Sequence, residues 1–451
     1  MDERFTRQIG LLFSTLHEIE QAAVFGERHQ GLELEIYTPT RAQDNNTFCL
    51  HRVFTSWRIR LISPENFPPV SCIRSLLVEN GTELDHNDIP GLPLCKPDLR
   101  ILLDLSSRLP NLRVLKCNIG GDEWTKGVRS EYARYSTQDW PGPRRDTRHD
   151  FAKAIQAVQL PALSHVNLDF IYPIERTDLI DQRLPMPNLV QPMSYDPFSS
   201  SLRLLSYQLR TMRLSLVADE TLFWPADDST PPLWPNLETL SVMFHMVSPS
   251  GTWYFKGPRD IGAKEGFEIN KTSYPPLCTT EEDYIADGEF DWEFDWDEHR
   301  IFAQYRVEPN DKILVPFLAA FAKAAALMPS LKEAALWSPL FFLPDDIGEY
   351  DDFDCTEVAH DTRGELAWGL SYVRPGTRAF TDVVGEDFAD FRQMWWYVGR
   401  WRPDPELLDL FRQIGRQHSE QLAMHWGDPF TNPGLVERRD FDVWEHLRFT
   451  H

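Results

Sequence analysis

Leu109-Pro110-Asn111-Leu112-x-x-Leu115-x-Cys117 decides the reading of the fold, because the same phrase returns three times. The later copies are Leu160-Pro161-Ala162-Leu163-x-x-Val166-x-Leu168, Trp234-Pro235-Asn236-Leu237-x-x-Leu240-x-Val242 and Met328-Pro329-Ser330-Leu331-x-x-Ala334-x-Leu336. The last two apolar positions of each copy alternate with a single residue between them, as a strand with one buried face requires. The Pro ahead of them breaks any preceding helix and starts an extended run. A supersecondary unit used this way is the grammar of a leucine-rich-repeat-like solenoid. The predicted fold class is therefore α/β: an irregular leucine-rich-repeat-like solenoid of mostly parallel strands, ending in an α/β C-terminal cap.

Helical spacing precedes the phrases. Leu99, Leu102, Leu103 and Leu109 lead into the first copy, and Phe151, Ile155 and Val158 lead into the second. Phe317, Leu318, Phe321, Ala325 and Met328 lead into the fourth, with Pro316 expected in the first helical turn. Weaker copies stand at Ile73-x-x-Leu76-x-Val78 and Leu209-x-x-Met212-x-Leu214. From Ile73 through Leu112, Leu163, Leu209 and Leu237 to Leu331 the intervals are 39, 51, 46, 28 and 94 residues. Only one falls in the range of about 20–29 that regular leucine-rich repeats keep. Met186-Pro187-Asn188-Leu189 fails as a further copy, because Pro192 occupies a ladder position.

At the N-terminus, Ile9, Leu12, Phe13, Leu16 and Ile19 predict a helix through about Phe25 with one core-facing stripe. Leu32-Glu33-Leu34-Glu35-Ile36 then alternates as a strand. Beyond Arg363, Glu365 to Val373 and Met394 to Trp401 read as strands. Asp404 and Pro405 open a helix that stops at Gly415, and Leu422 to Trp426 returns as a strand. The expected organisation is a repeat region over 1–344, with an acidic insertion at about 257–299, and a cap over 345–451 packed on it.

Composition bounds the function. The chain has 451 residues, 42% of them hydrophobic, with 15 Trp and a formal charge of −24. That is rich enough to fold, and acidic enough to repel a phosphate backbone or an anionic membrane. No nucleic acid and no membrane are expected as partners; Arg144-Arg145-x-x-Arg148, the densest basic stretch, reads as a solvated loop. The six cysteines form no C-x-x-C pair, and Cys72 and Cys117 sit in strand-like runs, which fits a reducing compartment. The opening apolar run is too short for a signal peptide, so a cytoplasmic or nuclear location is expected.

Ten of the eighteen residues from Glu281 to Glu298 are acidic, and Phe290, Trp292, Phe294 and Trp296 alternate with carboxylates there. Asp291-x-Glu293-x-Asp295-x-Asp297 lacks the glycine turn and distal Glu of a calcium loop, so a solvated excursion is the reading preferred over a metal site. Asp352-Phe353-Asp354 lies in the second acidic run, Asp345 to Asp354. Neither it nor the pairs Cys355 with His360 and Cys49 with His51 has an identifiable third catalytic partner. No P-loop, G-x-G-x-x-G, H-E-x-x-H or G-x-S-x-G is present. No catalytic residue, metal site or cofactor is assigned. Trp253-Tyr254-Phe255 and Trp395-Trp396-Tyr397 are the densest aromatic clusters. On a strand neighbouring rings point to opposite faces, so one ring of each is exposed unless the sheet is covered on both sides. Covered is the preferred reading; if it fails, Trp253, Tyr254, Trp292, Phe294, Trp296 and Trp395 are the candidate partner-binding residues.

Leu237 to Lys256 (LETLSVMFHMVSPSGTWYFK), Phe317 to Pro339 (FLAAFAKAAALMPSLKEAALWSP) and the tail from Glu365 through Gly415, with QMWWYVGRWRPDPELLDLFRQIG, resemble fungal F-box-associated, leucine-rich-repeat-like proteins. The resemblance implies an α/β repeat scaffold and, in members with an F-box, substrate selection for a ubiquitin ligase; it carries over no catalytic residue. An F-box opens on a Leu-Pro-rich helical module, whereas residues 1–31 contain no Pro. That argues against a Skp1-type adaptor as partner of this chain. The expectation is a non-enzymatic scaffold for an unidentified protein. The alternative is an enzyme using carboxylates of the acidic loops with a divalent metal.

Overall fold

In the computed structural model all four phrases lead into a strand, and three of them open on a hydrogen-bonded turn. The Leu112 N–H donates to the Leu109 carbonyl at 3.0 Å, Leu163 to Leu160 at 3.0 Å and Leu331 to Met328 at 3.2 Å. Pro110, Pro161 and Pro329 thus sit at the second position of a four-residue turn, where a fixed φ near −65° is already correct. The weak copy has the same turn without Pro, Leu209 N–H to Ser206 carbonyl at 3.1 Å. The prolines make the turn cheaper, and the turn itself is the repeated feature.

The structure describes residues 2–22, 31–37, 58–80, 96–120, 140–172, 180, 182–227, 231–257, 265–274, 305–342, 364–378, 389–427 and 436–437. They form a mixed α/β structure with mostly parallel strand pairing. Two compact units make up the chain: Met1–Leu179 with Ile269–Arg300, and Ile180–Glu268 with Ile301–His451.

The first unit contains α1 (Asp2–Gln21), β1 (Leu32–Tyr37), β2 (Arg58–Ile59), β3 (Ile73–Glu79), β4 (Lys96–Pro97), α2 (Arg100–Ser106), β5 (Val114–Asn118), α3 (Pro141–Ala157) and β6 (His165–Asp169). Strands β1, β3, β5 and β6 pair in that order, all parallel, so that Leu34, Leu76, Leu115 and Val166 share one row. Ile36, Val78, Cys117 and Leu168 share the next inward row. Every one of these eight is buried.

The second unit contains α4 (Pro197–Ser206), β7 (Thr211–Leu216), β8 (Thr239–Phe244), β9 (Phe255–Lys256), β10 (Glu308–Pro309), α5 (Asp311–Ala326), β11 (Glu333–Phe342), β12 (Gly364–Val373), β13 (Arg392–Tyr397), α6 (Pro405–Gln413), β14 (Leu422–Trp426) and β15 (Val436–Glu437). Strands β7, β8 and β11 pair parallel, β11 to β12 and β12 to β13 antiparallel, and β13 to β14 parallel. Met212, Leu240, Ala334, Tyr372 and Met394 form one buried row, and Leu214, Val242, Leu336, Leu370 and Trp396 the next. The 94-residue interval between the third and fourth phrases therefore separates direct neighbours in the ladder, with β9, β10 and α5 placed between them in the chain.

The core of this unit is aromatic. Phe317 on α5 lies 5.0 Å from Phe244, 5.1 Å from Tyr254 and 5.3 Å from Phe223, and Phe411 on α6 lies 4.8 Å from Trp396. Arg306 is fully buried among them. Its guanidinium sits 4.3 Å over the Trp253 ring and donates from Nε and Nη2 to the Gln182 carbonyl at 3.0 and 2.9 Å. The Gln182 Oε1 accepts in return from the Tyr305 and Arg306 backbone N–H groups, each at 2.7 Å.

Several expectations change. The stretch Arg144-Arg145-x-x-Arg148 lies inside α3, which begins at Pro141. Arg144 and Arg148 are buried, and Arg145 pairs with Asp146 at 3.0 Å and with the Tyr274 hydroxyl at 2.5 Å, so it is no solvated loop. Pro fits the first position of a helix because no N–H is needed there. Pro316 stands inside α5 rather than in its first turn. The lost backbone bond is offset by burial of Leu314, Phe317, Leu318 and Phe321 around it. On α1 the buried stripe is Phe5, Ile9 and Phe13, with Phe13 5.7 Å from Phe67, while Ile19 is exposed. The expected division at 344/345 lies between β11 and β12, which pair over ten residues; the compact units are Met1–Leu179 with Ile269–Arg300 and Ile180–Glu268 with Ile301–His451. The α6 boundaries agree with expectation: the Asp404 carboxylate accepts from the Leu407 N–H at 2.7 Å, and Gly415 takes φ +66° just past the end. Among the described residues no helix is long and apolar enough to cross a membrane.

Leu240 sits at the centre of the second unit's inward row, so Leu240→Ala is expected to cost ~2–5 kcal/mol in chemical unfolding through lost burial and a residual cavity. Leu233→Ala, at a side chain 67% exposed, is the control and is expected to change stability by less than ~0.5 kcal/mol. Equal effects of the two would contradict the assigned register.

Candidate functional site

The alternation that buries Leu34, Leu76, Leu115 and Val166 sends the intervening residues of the first unit to the other face. By register, Glu33, Ser75, Val114 and His165 form one row, Glu35, Leu77, Lys116 and Asn167 a second, and Tyr37, Glu79, Asn118 and Asp169 a third. Glu33, Glu35, Tyr37 and His165 are exposed and the other eight half-buried. This is a solvent-facing lattice of polar groups with Val114, Leu77 and the Tyr37 ring set into it.

Its side chains are tied to one another. Glu33 Oε1 accepts from Lys116 Nζ at 2.9 Å and from Ser75 Oγ at 3.0 Å, and these bonds, Lys116 first, hold the Glu33 carboxyl below the usual carboxylate range. The Tyr37 hydroxyl donates to Glu35 Oε1 at 2.5 Å, and the cost of ionising beside that carboxylate pushes the phenol up to about 12. Asn118 Nδ2 donates to Glu79 Oε1 at 2.5 Å, and Asp169 Oδ1 accepts from the Ile171 N–H at 3.0 Å. Four carboxylates face one lysine, so the surface is acidic. The sequence analysis followed only the inward positions of the phrases. The signal for the outward ones was the polar half of the same alternation, clearest in Leu32 to Tyr37.

The candidate aromatic residues lie elsewhere. Trp253 and Tyr254 are each 1% exposed and Trp395 is 4% exposed, so no partner reaches these rings in this structure. Trp253 packs against Arg306, and the Tyr254 hydroxyl donates to the Ala218 carbonyl at 2.8 Å. Trp395 stacks on His425 with ring centroids 4.0 Å apart. Trp292, Phe294 and Trp296 lie outside the described residues, as do Asp291 to Asp297, Asp352 to Asp354, Cys49, His51, Cys355 and His360.

Other chemistry-bearing groups serve the fold. Asp98 Oδ1 accepts from Thr147 Oγ1 at 3.0 Å and from the Arg100 N–H at 3.1 Å, while Oδ2 accepts from Arg60 Nε at 2.8 Å. The cavity beside it, bordered by Arg60, Glu65, Asp104 and Asp150, holds about 200 Å³, below the roughly 300–1,000 Å³ of metabolite sites. Among the described residues no three His, Cys, Asp or Glu side chains gather as metal ligands. In the second unit Asp196 caps α4, accepting from the Ser199 N–H at 3.0 Å and from Ser199 Oγ at 2.6 Å. Asp219 Oδ2 accepts from the Asp196 N–H at 3.0 Å, and its Oδ1 from the Thr221 N–H at 3.0 Å. Burial first, and then the Asp196 charge, push the Asp219 carboxyl up to about 7. The same burial, with Asp219, Glu220 and Asp196 nearby, lifts the Tyr254 phenol well above its ordinary value. Because Asp196 and Ser199 have no exposed surface, this pair joins α4 to the turn at Glu220–Leu222 and offers a substrate no access.

In comparisons with family models, with curated proteins and with solved structures, none matches this chain.

A carboxyl whose folded pKa lies above its unfolded value favours folding while protonated. Asp219 therefore stabilises the fold fully below the ordinary aspartate value of 3.8 and loses that contribution as the pH rises through about 7. In chemical unfolding from roughly pH 4 to pH 8, the wild-type chain is expected to lose stability relative to Asp219→Asn as the pH rises. A constant difference across the range would contradict the assignment.

Proposed function

We propose that this chain is a non-enzymatic protein-interaction scaffold, an irregular leucine-rich-repeat-like solenoid related to the substrate-recognition subunits of F-box ubiquitin ligases. Its recognition surface is the open face of β1, β3, β5 and β6. The observation that carries the reading is the three-row lattice on that face, in which exposed and half-buried polar groups are held in register by a buried one. Recurrence of the turn at three phrases and of an inward row at all four supports the solenoid description.

The size of the face selects the partner. Three interstrand steps of about 4.8 Å by five residue steps of about 3.3 Å give roughly 240 Å², well under the ~800 Å² per side of a standard protein interface. A short extended segment fits it better than a folded domain. Glu33, Glu35, Glu79 and Asp169 against Lys116 make that segment basic.

The test is a library of hexapeptides with Lys or Arg at alternate positions, with the matching Glu library as control. Basic members are expected to bind, and Glu35→Lys with Glu79→Lys is expected to weaken them about tenfold or more, whereas Lys153→Glu on α3 leaves them unchanged. Equal binding of both libraries, or indifference to the double substitution, contradicts the reading. A second expectation concerns the ligase link. With Phe5, Ile9 and Phe13 of α1 committed to the core, co-expression with a Skp1-type adaptor should end in separate elution on size exclusion, and a stable co-eluting complex would overturn that expectation.

A further inference from the structure

The cavity beside Asp98 in the first unit has a wall of both charge signs. Arg60 follows β2, Arg100 and Asp104 lie on α2, and Ser63 and Glu65 belong to the turn around Pro64–Asn66. Each arginine is held by its inner edge. Arg60 Nε donates to Asp98 Oδ2 at 2.8 Å and Arg100 Nε to Asp104 Oδ1 at 3.2 Å. The two anchoring carboxylates are 2% and 12% exposed, against 55% for each arginine side chain, so the outer edges open to the cavity and to solvent. Asp98 is fixed in turn by the Thr147 hydroxyl and the Arg100 N–H.

Groups of both signs remain uncommitted on this wall. Among the described residues Nη1 and Nη2 of Arg100 make no hydrogen bond, nor do those of Arg60, whose Nη2 stands 3.8 Å from Asp150 Oδ2. A guanidinium anchored through Nε presents its remaining N–H groups in a fixed plane, the fork that a carboxylate accepts. The Glu65 carboxylate likewise accepts no hydrogen bond among the described residues. Burial first lifts the Asp104 carboxyl, the Arg100 bond opposes the rise, and the Asp98 and Glu65 charges add to it. Neighbouring carboxylates that repel in this way favour a cation between them. Ser63, the only non-glycine with a positive φ (49°) among the described residues, holds the turn that brings Glu65 to the wall. Such a conformation is costly and persists only where its surroundings fix it.

The volume of about 200 Å³ lies below the usual metabolite range and equals the room of about seven waters at ~30 Å³ each. A molecule of about eight non-hydrogen atoms fills it. We infer that this cavity binds a free α-amino acid with a short aliphatic side chain. Its carboxylate accepts from the outer edges of Arg100 and Arg60, its ammonium donates to Glu65 and Asp104, and its side chain lies on the apolar part of the wall, Leu61, Pro64 and Ile101. The site is distinct from the open face of β1, β3, β5 and β6 and does not depend on the function of that face.

The experiment titrates the full chain with L-valine in a calorimeter. The comparison probes are 3-methylbutanoate, which lacks the ammonium, and 2-methylpropylamine, which lacks the carboxylate. Valine is expected to give saturable heat, and each comparison probe to bind about tenfold more weakly or worse. Glu65→Gln and Arg100→Lys, both at exposed positions, are each expected to weaken valine about tenfold while the unfolding midpoint stays at the wild-type value. The three probes on the wild-type chain decide the matter without any variant. Absence of saturable heat with valine, equal affinity for either comparison probe, or unchanged valine affinity in either variant would each overturn the inference.

Discussion

The backbone bond that ties the head of each phrase strand to the strand before it is the constraint on which the rest depends: Arg113 N–H on the Arg74 carbonyl at 2.8 Å, His165 on Arg113 at 3.0 Å, Glu238 on Arg210 at 2.7 Å and Lys332 on Glu238 at 2.8 Å. Arg374 continues the series onto Lys332 at 2.8 Å, although β12 runs antiparallel. Once these bonds form, the side-chain period of two leaves no choice of face, and a slip of one residue would expose every inward aliphatic. Glu238 marks the junction between its neighbours on the surface. Lys332 first, and then Arg210, hold its carboxyl below the ordinary range, a modest aid to register at such exposed positions.

One register sets the outward face of each unit. In the first unit the outward residues are mostly acidic, amide and hydroxyl groups that remain partly exposed while bonded to one another. In the second unit the outward residues Arg213, Ser241, Ala335, Ser371 and Trp395 are buried. The strands are alike in backbone; the intervening side chains decide what each face can hold. The buried Arg306 shows how the second unit tolerates a charge within its core: carbonyl oxygens and the Trp253 ring replace water around the guanidinium.

The inward ladder was legible because Pro and the aliphatic alternation act locally. Leu112, Leu115, Val166, Leu168, Leu237, Leu240, Leu331 and Leu336 are all buried, as their equivalent places in the phrases imply. Helix α6 was legible for the same reason, since Asp404, Pro405 and Gly415 mark its ends within a few residues. What escaped depends on distance. Nothing near Gln182 announces that its carbonyl receives a guanidinium 124 residues away, and nothing near Trp253 announces the cation over its ring. Pro141-Gly142-Pro143 reads as a loop by composition and is a helix start by position. The open face was written in the polar residues between the aliphatic ones, yet a polar residue on a strand is ordinary until its neighbours across the ladder are known. Pairing alone shows that Glu33 and Lys116, 83 residues apart, share one bond.

The most direct test of the ladder is cross-linking by register. In a Cys72→Ser background, Ser75→Cys with Val114→Cys places two thiols on paired positions of β3 and β5, facing the open side. Neighbouring strands bring such Cα atoms to about 5 Å, within the span of a disulfide. Mild oxidation is expected to link this pair and to leave Ser75→Cys with Leu115→Cys unlinked, because Leu115 faces inward. Equal linking of the two pairs, or linking of the second alone, would contradict the register from which the open face follows.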